Sequence, residues 1–145
     1  MIKKIVYIFV GICVAIFILI QFVPYGHNHT NPPVTKTIKW NSPQTAQLVH
    51  VCYQCHSNET EWPWYTNIAP GSWLIQHDVD EARLFMNFSE NDVTSFMAQD
   101  MASQVKASRM PPIQYKIVHW DAFLTDTQKQ ELIDGIQKTF ANLQQ

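Results

Sequence analysis

Hydrophobic positions along the chain fall into three regimes. From Ile5 to Val23 the side chains are almost continuously apolar, with Gln21 the one clearly polar member. Such a run rises about 28 Å as a helix, close to the hydrocarbon thickness of a bilayer, and so predicts a membrane-spanning segment. A cleaved signal peptide would have a shorter apolar region followed by small residues, whereas Gln21-Phe22-Val23-Pro24-Tyr25 follows here, and a retained anchor over residues 1–23 is the preferred reading. Residues 24–41 hold three of the eight prolines, several Asn and Thr, and no apolar period, which predicts a solvated linker carrying His27 and His29.

From residue 42 to residue 145 the period changes to 3.6, the mark of amphipathic helices. Ser42 and Pro43 suit a helix start, and Leu48, Val49 and Cys52 recur on one face, so a helix is predicted from about Pro43 to Cys55. A second is predicted from near Pro70 to about Phe85, carrying Trp73, Leu74, His77 and Leu84. Ser89 and Asp92 form a capping arrangement for a third, whose stripe is Val93, Phe96, Met97, Met101 and Val105 and which stops before Pro111. Successive prolines at 111 and 112 predict an irregular stretch from Arg109 to Phe123. Thr125 and Gln128 open the last helix as a capping box, with Leu132, Ile133, Ile136 and Phe140 on one face. No strand signal and no internal repeat is present, so the fold class is all-α: about four helices in the domain plus one N-terminal transmembrane helix.

Charge sharpens this picture. Lys3 and Lys4 precede the apolar run and no basic residue follows until Lys36, which places the N-terminus in the cytoplasm and the domain across the membrane. Residues 24–145 carry eight basic and twelve acidic side chains, a net −4 with His neutral. That balance excludes nucleic acid as a partner and favours a protein with a basic face. Cys13 lies within the apolar run and is read as a thiol among lipid tails, which leaves Cys52 and Cys55 for the exported domain.

Those two belong to Cys52-Tyr53-Gln54-Cys55-His56, the C-x-x-C-H signature of covalent c-type haem attachment. Residues three and four apart share a helix face, so both thiols can form thioethers to one haem while the imidazole of His56 reaches its iron. A disulfide redox pair would normally sit in a β-α-β pattern, which is absent, and a zinc knuckle needs a second ligand pair. One covalent haem c is therefore the expected cofactor. A domain of about 100 residues buries little apolar area alone, and a large ligand would complete its core, so a chain lacking haem is expected to fold poorly.

The ligand on the opposite side of the iron decides the chemistry. Met110 leads, because Pro111 and Pro112 stiffen the loop that carries it. Met97 and Met101 lie on an apolar stripe and read as core, with Met86 a further methionine candidate. His50 precedes Cys52 by two residues, so its helical direction is about 200° away. His77, beside Asp78, and His119, before Trp120-Asp121, remain alternatives. A thioether raises the potential, a second imidazole lowers it, and an open position admits peroxide or gas.

The runs Cys52–Thr60, Trp62-Pro63-Trp64-Tyr65, Asn67-Ile68-Ala69-Pro70 and Ser72-Trp73-Leu74 together resemble the bacterial haem-binding domain family related to c-type cytochromes. Further matches are His77-Asp78-Val79, Asn87-Phe88-Ser89, and Met110-Pro111-Pro112 with Tyr115 and His119, so the resemblance spans about residues 42–142. It implies a cytochrome c-like domain with Cys52 and Cys55 as attachment residues and His56 as proximal ligand. Trp62, Trp64, Tyr65 and Trp73 are expected to pack, around the haem or in the core. Arg83 and Arg109 are read as exposed, with propionate pairing the alternative.

The reading as a whole is a single-pass, membrane-anchored periplasmic cytochrome of a bacterium that transfers electrons to or from a redox protein. A haem peroxidase-like enzyme is one rival and requires His77 or His119 as acid/base group beside an open position. A haem-based sensor is the other, and the few residues before the membrane helix offer it no cytoplasmic output domain.

Overall fold

The computed structural model describes residues 2–90 and 93–141, and every regular element among them is helical. The helices are α1 (Ile2–Ile20), α2 (Pro43–His56), α3 (Gly71–Phe85), α4 (Ser95–Lys106), α5 (Ile113–Val118) and α6 (Asp126–Phe140), with 3₁₀ turns at Trp64–Asn67 and Trp120–Ala122. The all-α expectation holds. The chain forms two compact units, one of Met1–Thr30 with Glu61–Glu81 and the other of Asn31–Thr60 with Ala82–Gln145.

In the first unit α1 is long and apolar enough to cross a membrane, with a mean hydropathy of 2.4 and no buried residue. The segment after it does not behave as a free linker. His29 stacks on Trp62 with ring centroids 4.4 Å apart, and its ring nitrogen lies 3.1 Å from the Thr66 carbonyl. His27 is exposed.

The second unit is built on α2, α4 and α6. Leu48 and Val49 of α2, Ala98, Met101, Ala102 and Val105 of α4, and Leu132, Ile133, Ile136 and Phe140 of α6 share one core with Met86, Phe88 and Val93. α6 reaches α2 closely because Gly135 has no side chain: a Cβ there would collide with the Thr45 side chain. Residues 31–41 also join this unit. The backbone N–H groups of Thr35 and Lys36 donate to the Ser89 carbonyl at 2.9 Å, and Trp40 meets Phe88 and Phe140 edge-on at 5.7 Å.

Helix starts follow their local chemistry. Ser42 accepts from the Thr45 N–H at 3.1 Å with Pro43 in the first turn, and Thr125 with Gln128 makes both bonds of the capping box. The third predicted helix begins later than expected. Thr94 caps α4 by accepting from the Met97 N–H at 3.2 Å, whereas Ser89 is buried and its hydroxyl accepts from the Asn58 N–H; Asp92 lies outside the described residues. The stretch after Pro112 is not irregular throughout, because a proline before the first turn lacks only a donor that a helix start leaves unpaired anyway, and α5 follows it.

Candidate functional site

Cys52, Cys55 and His56 occupy the last turn of α2, all three half-buried. Cys52 packs against the core cluster, and burial together with the neighbouring Cys55 pushes its thiol up to about 12. At neutral pH a thiol so held is not a thiolate. No protein-only metal cluster is gathered: among the described residues no group of three or more His, Cys, Asp and Glu side chains is placed to hold an ion.

The helix ends at Ser57, whose backbone turns extended and whose hydroxyl donates to the Tyr53 carbonyl at 2.7 Å. Beyond it the chain is fastened to residues 86–90. The Phe88 N–H donates to the His56 carbonyl at 2.8 Å, the Asn87 amide donates to the Asn58 side-chain oxygen at 2.8 Å, and the Asn58 amide donates to the Pro33 carbonyl at 3.0 Å and to Glu90. Asn58 and Asn87 are buried, and their amides hold this loop in place. Arg83, expected on the surface, spends its guanidinium on this loop: it donates to the Ser57 carbonyl and to the side chains of Thr60 and Asn31, each at 2.8 Å.

This frame fixes the imidazole. His56 Nδ1 lies 3.1 Å from the Met86 carbonyl, and a carbonyl can only accept, so Nδ1 carries the proton and Nε2 carries the lone pair. Metal-binding histidines are commonly oriented in this way by an acceptor behind the ring. Burial lowers the His56 pKa below its ordinary 6.5, against the opposing pull of the Met86 and Ala82 carbonyls, and keeps the ring neutral at neutral pH. A neutral, oriented imidazole one residue after a thiol, with a second thiol one turn earlier on the same face, fits a haem.

The remaining candidates are spread over other elements. Met86 and Met101 are core residues and Met97 packs against the core, whereas Met110 is 41% exposed at the start of the segment leading to α5. Its N–H donates to the Gln104 carbonyl at 3.3 Å, and Arg109 Nε donates to the Gln104 side chain at 2.7 Å. His119 is half-buried and stacks on Tyr115, with ring centroids 4.1 Å apart. His77 and His50 are exposed on α3 and α2. Of the aromatic cluster, Trp62 packs on His29 and Trp73 has a buried N–H with no partner, but Trp64 is 75% exposed and belongs to no core.

Sequence reasoning missed Asn58, Asn87, Ser89 and Met86 as the residues that hold the His56 turn. The Asn and Ser residues stood inside the matched motifs. Met86 acts through its backbone carbonyl, which no side-chain pattern reveals.

No curated protein and no solved structure matches the chain. The haem-binding domain family matches over residues 15–138, most of its length. This match establishes that the chain belongs to the haem-binding domain family.

Proposed function

We propose that the protein is a membrane-anchored, periplasmic monohaem c-type cytochrome that transfers electrons. The observation that carries this reading is the last turn of α2, where Cys52, Cys55 and His56 share one helical turn and the Met86 carbonyl fixes the imidazole tautomer. Each thiol would add its S–H across one vinyl group, sulfur to the inner carbon and hydrogen to the terminal carbon, with no leaving group. Bound haem supplies a one-electron iron couple. His56 donates its Nε2 lone pair as proximal ligand, and the frame of Asn58, Asn87 and Arg83 holds the loop behind it.

Met110 is the proposed distal ligand, with His77 and His119 the alternatives. Of the four methionines Met86, Met97, Met101 and Met110, the first three are spent on core packing and Met110 alone stays exposed. His119 already stacks on Tyr115. Two strong ligands close the coordination sphere, which suits electron transfer and excludes bond-making at iron. The net −4 of residues 24–145 favours a redox partner with a basic face, and the anchor keeps both in one membrane layer. Lys3 and Lys4 set the orientation, with the haem domain in the periplasm.

Spectra of the holoprotein test this. The oxidised protein should be low-spin with a thioether–iron charge-transfer band that Met110→Ala abolishes. High-spin iron with peroxide turnover in the unaltered protein would replace electron transfer with the enzyme reading.

A further inference from the structure

The end of α1 is fastened to the loop at residues 62–72. The Gln21 side chain lies one residue past the helix and donates from Nε2 to the Ala69 carbonyl at 3.0 Å and to the Phe17 carbonyl at 2.9 Å. Its Oε1 accepts from the Ala69 N–H at 2.9 Å, so one amide binds both backbone groups of a single residue. Five residues on, Gly26 adopts φ +88° and lies so close to Ser72 that a Cβ would fall 2.8 Å from its carbonyl carbon. His29 completes the attachment through Trp62 and Thr66.

This clamp fixes the height of the loop. If α1 fills a hydrocarbon core of about 30 Å, Gln21 lies at its edge and the Ala69 backbone is one hydrogen bond away, inside a headgroup layer roughly 5–8 Å deep. The composition there is suited to that layer. From Trp62 to His77 no Asp, Glu, Lys or Arg occurs, and none occurs from Phe22 to Thr35. Trp64, Ile68 and Leu74 are exposed, as are Phe22 and Tyr25. Tryptophan and tyrosine collect at this depth because the ring body prefers the acyl boundary while the N–H or O–H meets headgroups and water.

We propose that residues 62–74 form a second membrane contact, seated in the headgroup layer of the leaflet where α1 ends, with Trp64, Ile68 and Leu74 against lipid. The occupant of this apolar surface is the bilayer that α1 crosses. The proposal rests on the membrane anchoring proposed above. Its consequence is that the segment after the anchor is held down on the membrane and does not act as a free tether.

The test uses the full-length holoprotein in vesicles of phosphatidylcholine and phosphatidylglycerol doped with a diazirine-bearing lipid, with crosslinked residues located by fragmentation. Crosslinks are expected in α1 and also within residues 62–74. A Trp64→Ser/Ile68→Ser/Leu74→Ser variant alters only exposed positions, and it should lose the second set to background while keeping the first. Gln21→Ala should weaken the second set and leave the first. Crosslinks in α1 with none in 62–74 overturn this proposal and leave the anchor standing. Their absence from both overturns the anchor, and the second contact with it.

Discussion

Two regions of the second unit are finished to different degrees. The turn that carries Cys52, Cys55 and His56 lies on a core closed by α2, α4 and α6, and the loop beyond it is pinned by Asn58, Asn87, Ser89 and Arg83. The segment from Met110 to Phe123 is the reverse. No residue of α5 is buried, and Met110, Ile113, Ile117, Val118, Trp120 and Phe123 all stay exposed. Its regular partner is the short 3₁₀ turn that follows it, through contacts such as Tyr115 on His119. A soluble domain rarely leaves such a run of large apolar side chains in water without a binding role. The chain frames the His56 turn from its own residues and leaves apolar surface for which a large flat ligand is a suitable cover.

The contrast can be broken on the finished side first. Leu132 is 0% exposed, and Leu132→Ala should cost about 2–5 kcal/mol in denaturant unfolding, because the surrounding core closes only partly over the cavity. Asn87→Ala strips the Asn58 oxygen and the Ser89 N–H of their partner inside the protein, at about 1–3 kcal/mol. It should also loosen the His56 turn, read as weaker retention of the low-spin spectrum on warming. The open side behaves differently: Ile117 is 61% exposed in the chain alone, and a side chain so placed adds no more than about 0.5 kcal/mol to stability unless a ligand covers it. In the holoprotein Ile117→Ser should cost clearly more than that, and a cost within the bound would remove α5 from the haem surface.

Acidity gives a smaller effect with a fixed sign. His56 binds a proton more weakly folded than unfolded, so the unfolded state takes up more protons below 6.5. Whatever structure the haem-free chain retains should therefore weaken as pH drops from 6.5 and level off below the folded-state value. His56→Gln should remove that part of the pH dependence from its far-UV circular dichroism, followed from pH 7.5 to pH 5.

Local chemistry made much of this legible in the sequence. Ser42-Pro43 and Thr125/Gln128 begin helices because their side chains satisfy the donors of the first turn wherever they occur, and the Cys-x-x-Cys-His spacing places three groups on one turn by helical geometry alone. What was not legible depends on distant partners. Ser89 looked like a cap but is buried under Asn58, and Arg83 looked like a surface charge but binds the Ser57 carbonyl. Residues 24–41 have the composition of a linker, yet His29 and Trp40 find aromatic partners far along the chain. The carbonyl of Met86 behind His56 has no side-chain signature at all.

The most direct test is the mass of the mature chain, purified from a host with haem-attachment machinery and measured under denaturing conditions. One haem should remain on the polypeptide and map to the fragment containing Cys52 and Cys55. A chain that releases its haem on unfolding, with those two sulfurs free or joined to each other, would contradict the account.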